Sequence, residues 1–161
     1  AKLLLDGSSS GPSSCMRQPY SHDPDLKGII NWIQEEVDQF MMDAHRAGFQ
    51  LTAHAVGDKA VEMMIHAVEK AQKAYPAADC RPRIEHCALV DEEMLKKIKE
   101  LGIIPVSNPG LLAFNAKDYN RYYGERVKMM FAHKSYVEHG ILFAAGADSP
   151  CMDVNPMIGL W

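Results

Sequence analysis

The stretch "LTAHAVGDKAVEMM", residues 51–64, decides the fold because its periodicity changes within a few residues. The first half is an apolar run that contains His54, and it predicts a buried strand. The second half begins at Gly57 and Asp58 and repeats apolar residues at helical spacing, with Asp58 predicted as the helix N-cap. An imidazole at such a junction lies at the carboxyl edge of a parallel sheet, where ligands and catalytic groups collect. The junction therefore predicts a functional site at this edge.

The same order of elements recurs along the chain. Three times a helical pattern stops at a glycine and an apolar run follows at once; the glycines are Gly48, Gly102 and Gly140. Glycine readily adopts the left-handed backbone conformation that ends many helices. The apolar runs predict five strands, at residues 3–5, 51–55, 83–87, 103–107 and 141–147. Strands that alternate with helices are typical of parallel βαβ units, so we predict an α/β fold.

The composition excludes two classes of protein. The chain has 161 residues, of which 47% are hydrophobic, and a net charge of −4, which together indicate one globular domain over residues 1–161. Its 17 Lys and Arg residues are scattered among 21 Asp and Glu residues, so we expect no nucleic-acid surface. No apolar run reaches the roughly 18 residues of a membrane span, so we expect no membrane segment.

The four cysteines, Cys15, Cys80, Cys87 and Cys151, lack the spacing of a disulfide framework or of a zinc knuckle. Free thiols are typical of proteins in reducing compartments. We therefore expect a cytoplasmic protein with unpaired cysteines.

One long loop interrupts the pattern of strands and helices. The sequence "DGSSSGPSSCMRQPYSHDPD", residues 6–25, has no periodicity over twenty residues. Loops of this length are usually active-site covers or linkers between domains. We favour a cover, because helical units resume immediately after the loop and nothing resembles a second domain.

Four polar residues fall in, or at the ends of, different predicted strands: Lys2, His54, His86 and Asp148. A single strand histidine is usually a packed side chain. Two histidines and an aspartate at three equivalent strand ends instead favour nitrogen and oxygen ligands around a hydrolytic metal ion. We interpret the other histidines as surface or packing residues: His22, His45, His66, His133 and His139.

The ordered motifs "KLLLDG", "HAVGDKAV", "RPRIEHC" and "GADSPCMDVNP" resemble the amidohydrolase superfamily of metal-dependent hydrolases, in the branch that contains N-substituted formamide deformylase. The resemblance covers residues 1–161 and implies a (β/α)₈ barrel with its metal site at the carboxyl ends of the strands. By this resemblance Lys2 matches a lysine that carbon dioxide converts to a carbamate, an anionic ligand that bridges two metal ions. His54 and His86 match the histidines of strands five and six. Asp148 matches the strand-eight aspartate, which binds metal and serves as general base.

The resemblance also implies the cofactor and the reaction. The cofactor is a divalent metal, with zinc favoured, as one or two ions. We expect hydrolysis of a carbon–nitrogen bond in an amide-like or N-formyl small molecule, with Asp148 as general base. Each metal-binding histidine needs an outer partner that fixes its tautomer, and Asp58 and Glu85 are the nearest candidates in the sequence.

Two features depart from the family. The His-x-His pair of its first strand is absent, and we count five strands, whereas a barrel needs eight strands and about 200 to 250 residues. We therefore expect the chain to represent strands four to eight of a larger enzyme, to be inactive by itself and to have unpaired strand edges. Residues outside this chain, another chain or a second copy would complete the barrel.

Two other interpretations remain open at the level of sequence. A non-catalytic barrel fragment that binds a small molecule or a partner subunit fits the missing histidine pair. A flavodoxin-like, doubly wound domain fits the length, but it predicts a phosphate site, and no predicted strand is followed by G-x-G-x-x-G or a Walker loop.

Overall fold

A computed structural model of the chain describes residues 1–153, 155 and 157. The end of the last family motif, at Val154 and Pro156, lies outside the described residues. The chain forms five parallel strands in one sheet, in the order β1-β2-β3-β4-β5, with helices between them. The strands are β1 (Lys2–Leu4), β2 (Thr52–Ala55), β3 (Arg83–His86), β4 (Ile104–Ser107) and β5 (Ala144–Ala145). The helices are α1 (Gln34–Arg46), α2 (Asp58–Ala74), α3 (Glu92–Glu100), α4 (Pro109–Tyr123), a 3₁₀ helix (Gly124–Met129) and α5 (His133–Glu138).

The predicted pattern of strands and helices is confirmed, with shorter strands than expected. The run 141–147 contains only the two-residue strand β5, which pairs with the end of β4. Both residues of β5 are exposed, and no further strand pairs with it among the described residues. Gly48, Gly102 and Gly140 have φ values of +78°, +62° and +61°, so each adopts the left-handed conformation that its position after a helix predicted.

The prediction that Asp58 caps α2 is wrong. The N-cap is Gly57, and Asp58 is the first residue of the helix. Its carboxylate instead accepts a hydrogen bond from the backbone N–H of Arg17 in the long loop, at 2.8 Å. A carboxylate in the first turn still interacts favourably with the helix dipole, but here it also attaches the loop to α2.

The main core lies on one face of the sheet, beneath the helices. Leu3, Ala53 and Ile84 are neighbours in register on successive strands, and all three are buried. Apolar residues of the first three helices pack over this row, among them Val37, Met41, Val61, Met64, Val68, Leu95 and Ile98. The opposite face is less covered, and Leu4 on that face is 54% exposed. Among the residues that the structure describes, the helices therefore cover one face of the sheet.

The long loop covers the carboxyl ends of the central strands, as predicted. A second buried group, here called the cover cluster, contains Met16, Tyr20, Val56, Ala88, Leu89, Tyr119, Tyr123, Met130 and Phe131. Val56 directly follows β2, and Ala88 follows β3, so this cluster lies at the carboxyl edge of the sheet. Buried hydroxyls join the loop to α4: Ser9 Oγ lies 2.8 Å from Tyr119 Oη, and Ser14 Oγ lies 2.9 Å from Tyr123 Oη.

No helix in the described part of the chain is long and apolar enough to cross a membrane. The four cysteines are free thiols, as expected. The location of the protein in the cell stays a prediction.

Candidate active site

The site contains an edge-to-face pair of imidazoles. The ring centroids of His54 and His86 lie 4.5 Å apart, with an interplanar angle of 76°. His54 comes from β2 and His86 is the last residue of β3, so the predicted convergence of these two residues at the carboxyl edge is confirmed.

The pleat of the sheet alone would separate the two rings. His86 pairs with Ala55, which is fully buried on the face opposite to His54. The φ of His86 is +72° and that of Cys87 is +45°, both in the left-handed region that non-glycine residues rarely adopt. This local strain interrupts the pleat and lets the ring of His86 meet that of His54. Such strained residues concentrate at functional sites.

His54 is held by the start of the long loop. Its Nε2 lies 3.0 Å from the carbonyl oxygen of Gly7 and 3.5 Å from Asp6 Oδ1. A carbonyl can only accept a hydrogen bond, so Nε2 carries the proton. Nδ1 of His54 has no hydrogen bond within the described residues, and it is the nitrogen left available for a ligand.

Asp6 organises the backbone around His54. Its buried carboxylate accepts hydrogen bonds from the N–H groups of Cys15, Val56 and Gly57, at 2.8 to 3.0 Å. Burial raises the pKa of the Asp6 carboxyl, and the three backbone donors and His54 oppose that rise. Asp6 therefore fixes the start of the long loop, residues 6–25 and here called the cover loop, against the junction between β2 and α2.

His86 is held by Asn108, which directly follows β4. His86 Nδ1 lies 2.7 Å from Asn108 Oδ1, and Asn108 Nδ2 donates to the carbonyl oxygen of Gly146 at 2.9 Å. Burial lowers the pKa of His86, an effect that His54 reinforces and that Asn108, Asp148 and Glu85 oppose. Neutral imidazole is the form that binds a metal ion.

The prediction that Asp58 and Glu85 are the outer partners of the two histidines is wrong. Asp58 binds Arg17 of the cover loop. Glu85 accepts from the hydroxyl of Thr52 at 3.0 Å and pairs with Arg83 at 2.9 Å. The residues that do contact the histidines are Asp6, Gly7 and Asn108, which lie far from them in the sequence and meet them only through the fold. A signal was present, since Asn108 directly follows β4 and Asp6 lies two residues after the end of β1.

Asp148 and Lys2 are less closely associated with the histidine pair. Asp148 lies in the turn after β5, has a φ of +54° and is near enough for its charge to affect the pKa of His86. Lys2 lies on the same face of the sheet as His54. It pairs with Thr52, which precedes His54 by two residues in β2, so the backbone positions of Lys2 and His54 are offset by about 7 Å along the strand direction.

Of the predicted ligands, the structure brings together only the two histidines. Within residues 1–153, 155 and 157, no three His, Cys, Asp or Glu side chains are close enough to hold a metal ion. The ligand roles of Lys2, His54, His86 and Asp148 therefore stay predictions.

The other five histidines are surface or packing residues, as predicted. Three form hydrogen bonds away from the site: His45 with the Tyr75 carbonyl, His66 with Asp38, and His139 with Glu92. The ring of His22 packs against Tyr20 and Tyr122, and that of His133 against Tyr136 and Phe143.

A sequence model described as "Amidohydrolase family" matches residues 1–161. The chain therefore belongs to the amidohydrolase family, and its five parallel strands are part of that family's barrel.

Among its relatives, the chain is 29% identical over 164 residues to YtcJ of Bacillus subtilis (strain 168), an alignment that covers 99% of the chain and 30% of YtcJ. It is 27% identical over 136 residues to the N-substituted formamide deformylase of Arthrobacter pascens, covering 83% of the chain and 25% of that enzyme. An uncharacterized metal-dependent hydrolase from Pyrococcus furiosus superposes with a TM-score of 0.86 at 28% identity, covering 99% of the chain and 32% of the hydrolase. The chain thus spans about a third or less of each of these proteins.

Proposed function

We propose that the full-length protein is a metal-dependent hydrolase that cleaves carbon–nitrogen bonds in amide-like or N-formyl small molecules. The observation that carries this proposal is the His54–His86 pair: each ring has one nitrogen hydrogen-bonded to the protein and a second nitrogen with no such bond among the described residues. Membership of the amidohydrolase family and similarity to a formamide deformylase support a carbon–nitrogen bond as the bond that is cleaved. The activity belongs to the whole protein, because this chain spans about a third of its relatives.

The two histidines offer the nitrogen donors of a divalent metal site, and we propose that the metal is zinc. Zinc sites use neutral histidine nitrogens and carboxylate oxygens, and burial of His86 favours its neutral form. His54 and His86 would hold the ion, and Asp148 would complete the site. Such an ion supplies Lewis-acid polarisation of a carbonyl and activation of water at neutral pH.

Lys2 is proposed as a further ligand after reaction with carbon dioxide. The uncharged amine would add to carbon dioxide and lose a proton, which gives an anionic carbamate with two oxygen donors. Lys2 shares a face of the sheet with His54, which supports this proposal, and its long side chain would have to extend toward the carboxyl edge.

Asp148 is proposed as the general base. Its carboxylate would orient a water molecule by a hydrogen bond, accept the proton as that water attacks the carbonyl carbon, and pass the proton to the leaving nitrogen. The positive φ of Asp148 supports a functional role, because strained backbone persists where the surrounding structure enforces it. The cover loop would limit the access of bulk water to this edge.

The test is the metal content of the full-length protein, purified without chelators and measured by elemental analysis. We expect one to two equivalents of a transition metal in the wild type, and their loss in the double variant His54→Ala/His86→Ala. The matched control is His66→Ala/His139→Ala, which removes two histidines outside the site and should retain the metal. Folded wild-type protein that holds no metal after incubation with zinc would refute the proposal and favour a binding protein built on the same barrel.

The proposed specificity for carbon–nitrogen bonds is tested separately from metal binding. The metal-loaded protein is assayed for release of formate from N-formyl amines and of carboxylate from simple amides, with Asp148→Asn as the variant without a general base. Hydrolysis of esters but not of amides or formamides would contradict the proposed carbon–nitrogen specificity.

A further inference from the structure

Asn108 connects three strand ends at the candidate site. It directly follows β4 and is only 4% exposed. Its Oδ1 lies 2.7 Å from Nδ1 of His86, at the end of β3, and its Nδ2 lies 2.9 Å from the carbonyl oxygen of Gly146, directly after β5. The sequence did not single out this residue, and its amide is well placed to control the geometry of the site.

The direction of both hydrogen bonds follows from the chemistry of the groups. The carbonyl of Gly146 can only accept, so the Asn108 atom that faces it must be the NH₂ group. The other amide atom, Oδ1, then faces His86, and it too can only accept. Nδ1 of His86 must therefore be the donor and carry the proton.

We propose that Asn108 is a positioning residue: it uses the backbone carbonyl of Gly146 to hold His86 as the Nδ1–H tautomer, which leaves the lone pair of Nε2 facing the site. The value of that lone pair for binding a metal rests on the function proposed above. The tautomer itself follows from the hydrogen bonds alone.

The same amide restrains the turn that carries Asp148. Gly146 lies two residues before Asp148, and its N–H donates to the carbonyl oxygen of Ser107 at 2.9 Å. Both backbone groups of Gly146 are thus bonded to consecutive residues, Ser107 and Asn108. Asn108 therefore couples the orientation of His86 to the position of the Asp148 turn.

A purely structural role for Asn108 makes a different prediction. If burial and packing alone mattered, a side chain of similar size and shape would replace Asn108 without changing the tautomer of His86. The tautomer is therefore the measurement that separates positioning from packing, and it requires neither metal nor activity.

The test is NMR of the full-length protein labelled with ¹⁵N in the histidine rings, with zinc removed, at a pH where His86 is neutral. The His86 signals are assigned by their loss in His86→Ala. We expect the wild-type ring to carry its proton on Nδ1. A wild-type proton on Nε2 would overturn the proposal whether or not any variant folds.

Two variants separate the bonds that Asn108 makes. Asn108→Leu keeps a similar volume but removes the acceptor, so the Nε2–H tautomer of His86 should become populated. Asn108→Asp keeps an acceptor toward His86 but cannot donate to Gly146, so His86 should keep its Nδ1 proton while hydrogen exchange around residue 146 becomes faster. The matched control is Asn120→Leu, since Asn120 is an exposed residue of α4 whose amide donates to the Ala116 carbonyl within the same helix.

Zinc affinity gives an independent measurement by competition with a chelator. Loss of an outer partner of a metal ligand typically weakens metal binding about 10- to 100-fold, and we expect this loss for Asn108→Leu but not for Asn120→Leu. If the wild type binds no zinc, the proposed function is refuted. The NMR measurement of the His86 tautomer then still tests whether Asn108 is a positioning residue. A folded Asn108→Leu protein with the wild-type tautomer and affinity would refute the positioning role.

Discussion

The carbonyl oxygen of Cys15 lies 2.0 Å from the position that a β-carbon on Gly57 would occupy. The cover loop thus passes directly over the start of α2, where the Cys15 carbonyl also accepts from the N–H of Lys59 at 3.1 Å. The φ of Gly57 is −73°, a value open to any residue. Glycine is therefore required here for space and not for backbone conformation.

We predict that Gly57→Ala destabilises the protein and displaces the cover loop. The added methyl would meet backbone atoms of residue 15, which cannot move aside as a flexible side chain can. Overpacking of this kind typically costs about 1–3 kcal/mol in the free energy of unfolding, and urea denaturation of the full-length protein measures it. The control is Gly11→Ala, at a loop position where an added β-carbon meets nothing within 4 Å. Equal stability of the two variants would contradict the close approach.

Arg17 attaches the same loop to two helices. Its guanidinium lies 3.3 Å from Asp58 Oδ2 and 3.5 Å from Glu62 Oε1, both in α2, and its Nη2 also pairs with Asp91. Asp91 caps α3, where it accepts from the N–H of Met94 at 2.9 Å. One cationic side chain thus joins the cover loop to the starts of α2 and α3.

We predict that Arg17→Met loosens the cover loop without unfolding the sheet. Arg17 is about one third exposed, so solvent weakens each ion pair, and we expect a loss of about 1 kcal/mol for the network. Hydrogen exchange followed by mass spectrometry should show faster exchange, about fivefold, in peptides from residues 7–30. The control Arg46→Met removes an exposed pair with Asp43 in α1 and should leave the loop unchanged. An unaltered loop in Arg17→Met would show that the buried hydroxyls of the cover suffice to hold it.

The order of strands and helices could be predicted from the sequence because it depends on local signals. Each helix that ends shortly before Gly48, Gly102 or Gly140 is followed by an apolar run, and these features act over a few residues. The strand at 141–147 was overestimated because an apolar run does not reveal how many residues find a hydrogen-bonding partner. Strand length here depends on β4, which offers β5 only its last two residues.

The site was less predictable, because its geometry depends on contacts between distant residues. The meeting of His54 and His86 followed from their positions at strand ends, but the left-handed conformation of His86 has no signal in a single sequence. Asn108 and Asp6 are ordinary polar residues until the fold places them beside the histidines. Parallel strands show which residues reach one edge, whereas the hydrogen bonds that orient each side chain form only after the loops have packed.

Stability should also depend on pH through Glu69, which joins α2 to α3. Its Oε1 accepts from Lys73 at 2.9 Å and from Lys97 at 3.0 Å, and these bonds lower the pKa of Glu69 from 4.5 to about 2. A carboxyl whose pKa is lower in the folded state stabilises the protein above its unfolded pKa, and this contribution disappears as pH falls toward the folded pKa.

We therefore predict that Glu69→Gln lowers the free energy of unfolding near neutral pH by no more than about 1 kcal/mol, since both lysines are well exposed. The difference from wild type should shrink as pH falls from about 4.5 toward about 2, because protonated Glu69 then resembles glutamine. Urea denaturation at several pH values measures this difference, and a double-mutant cycle with Lys97→Met isolates the bond between the helices. A difference that stays constant with pH would mean that Glu69 acts through packing rather than charge.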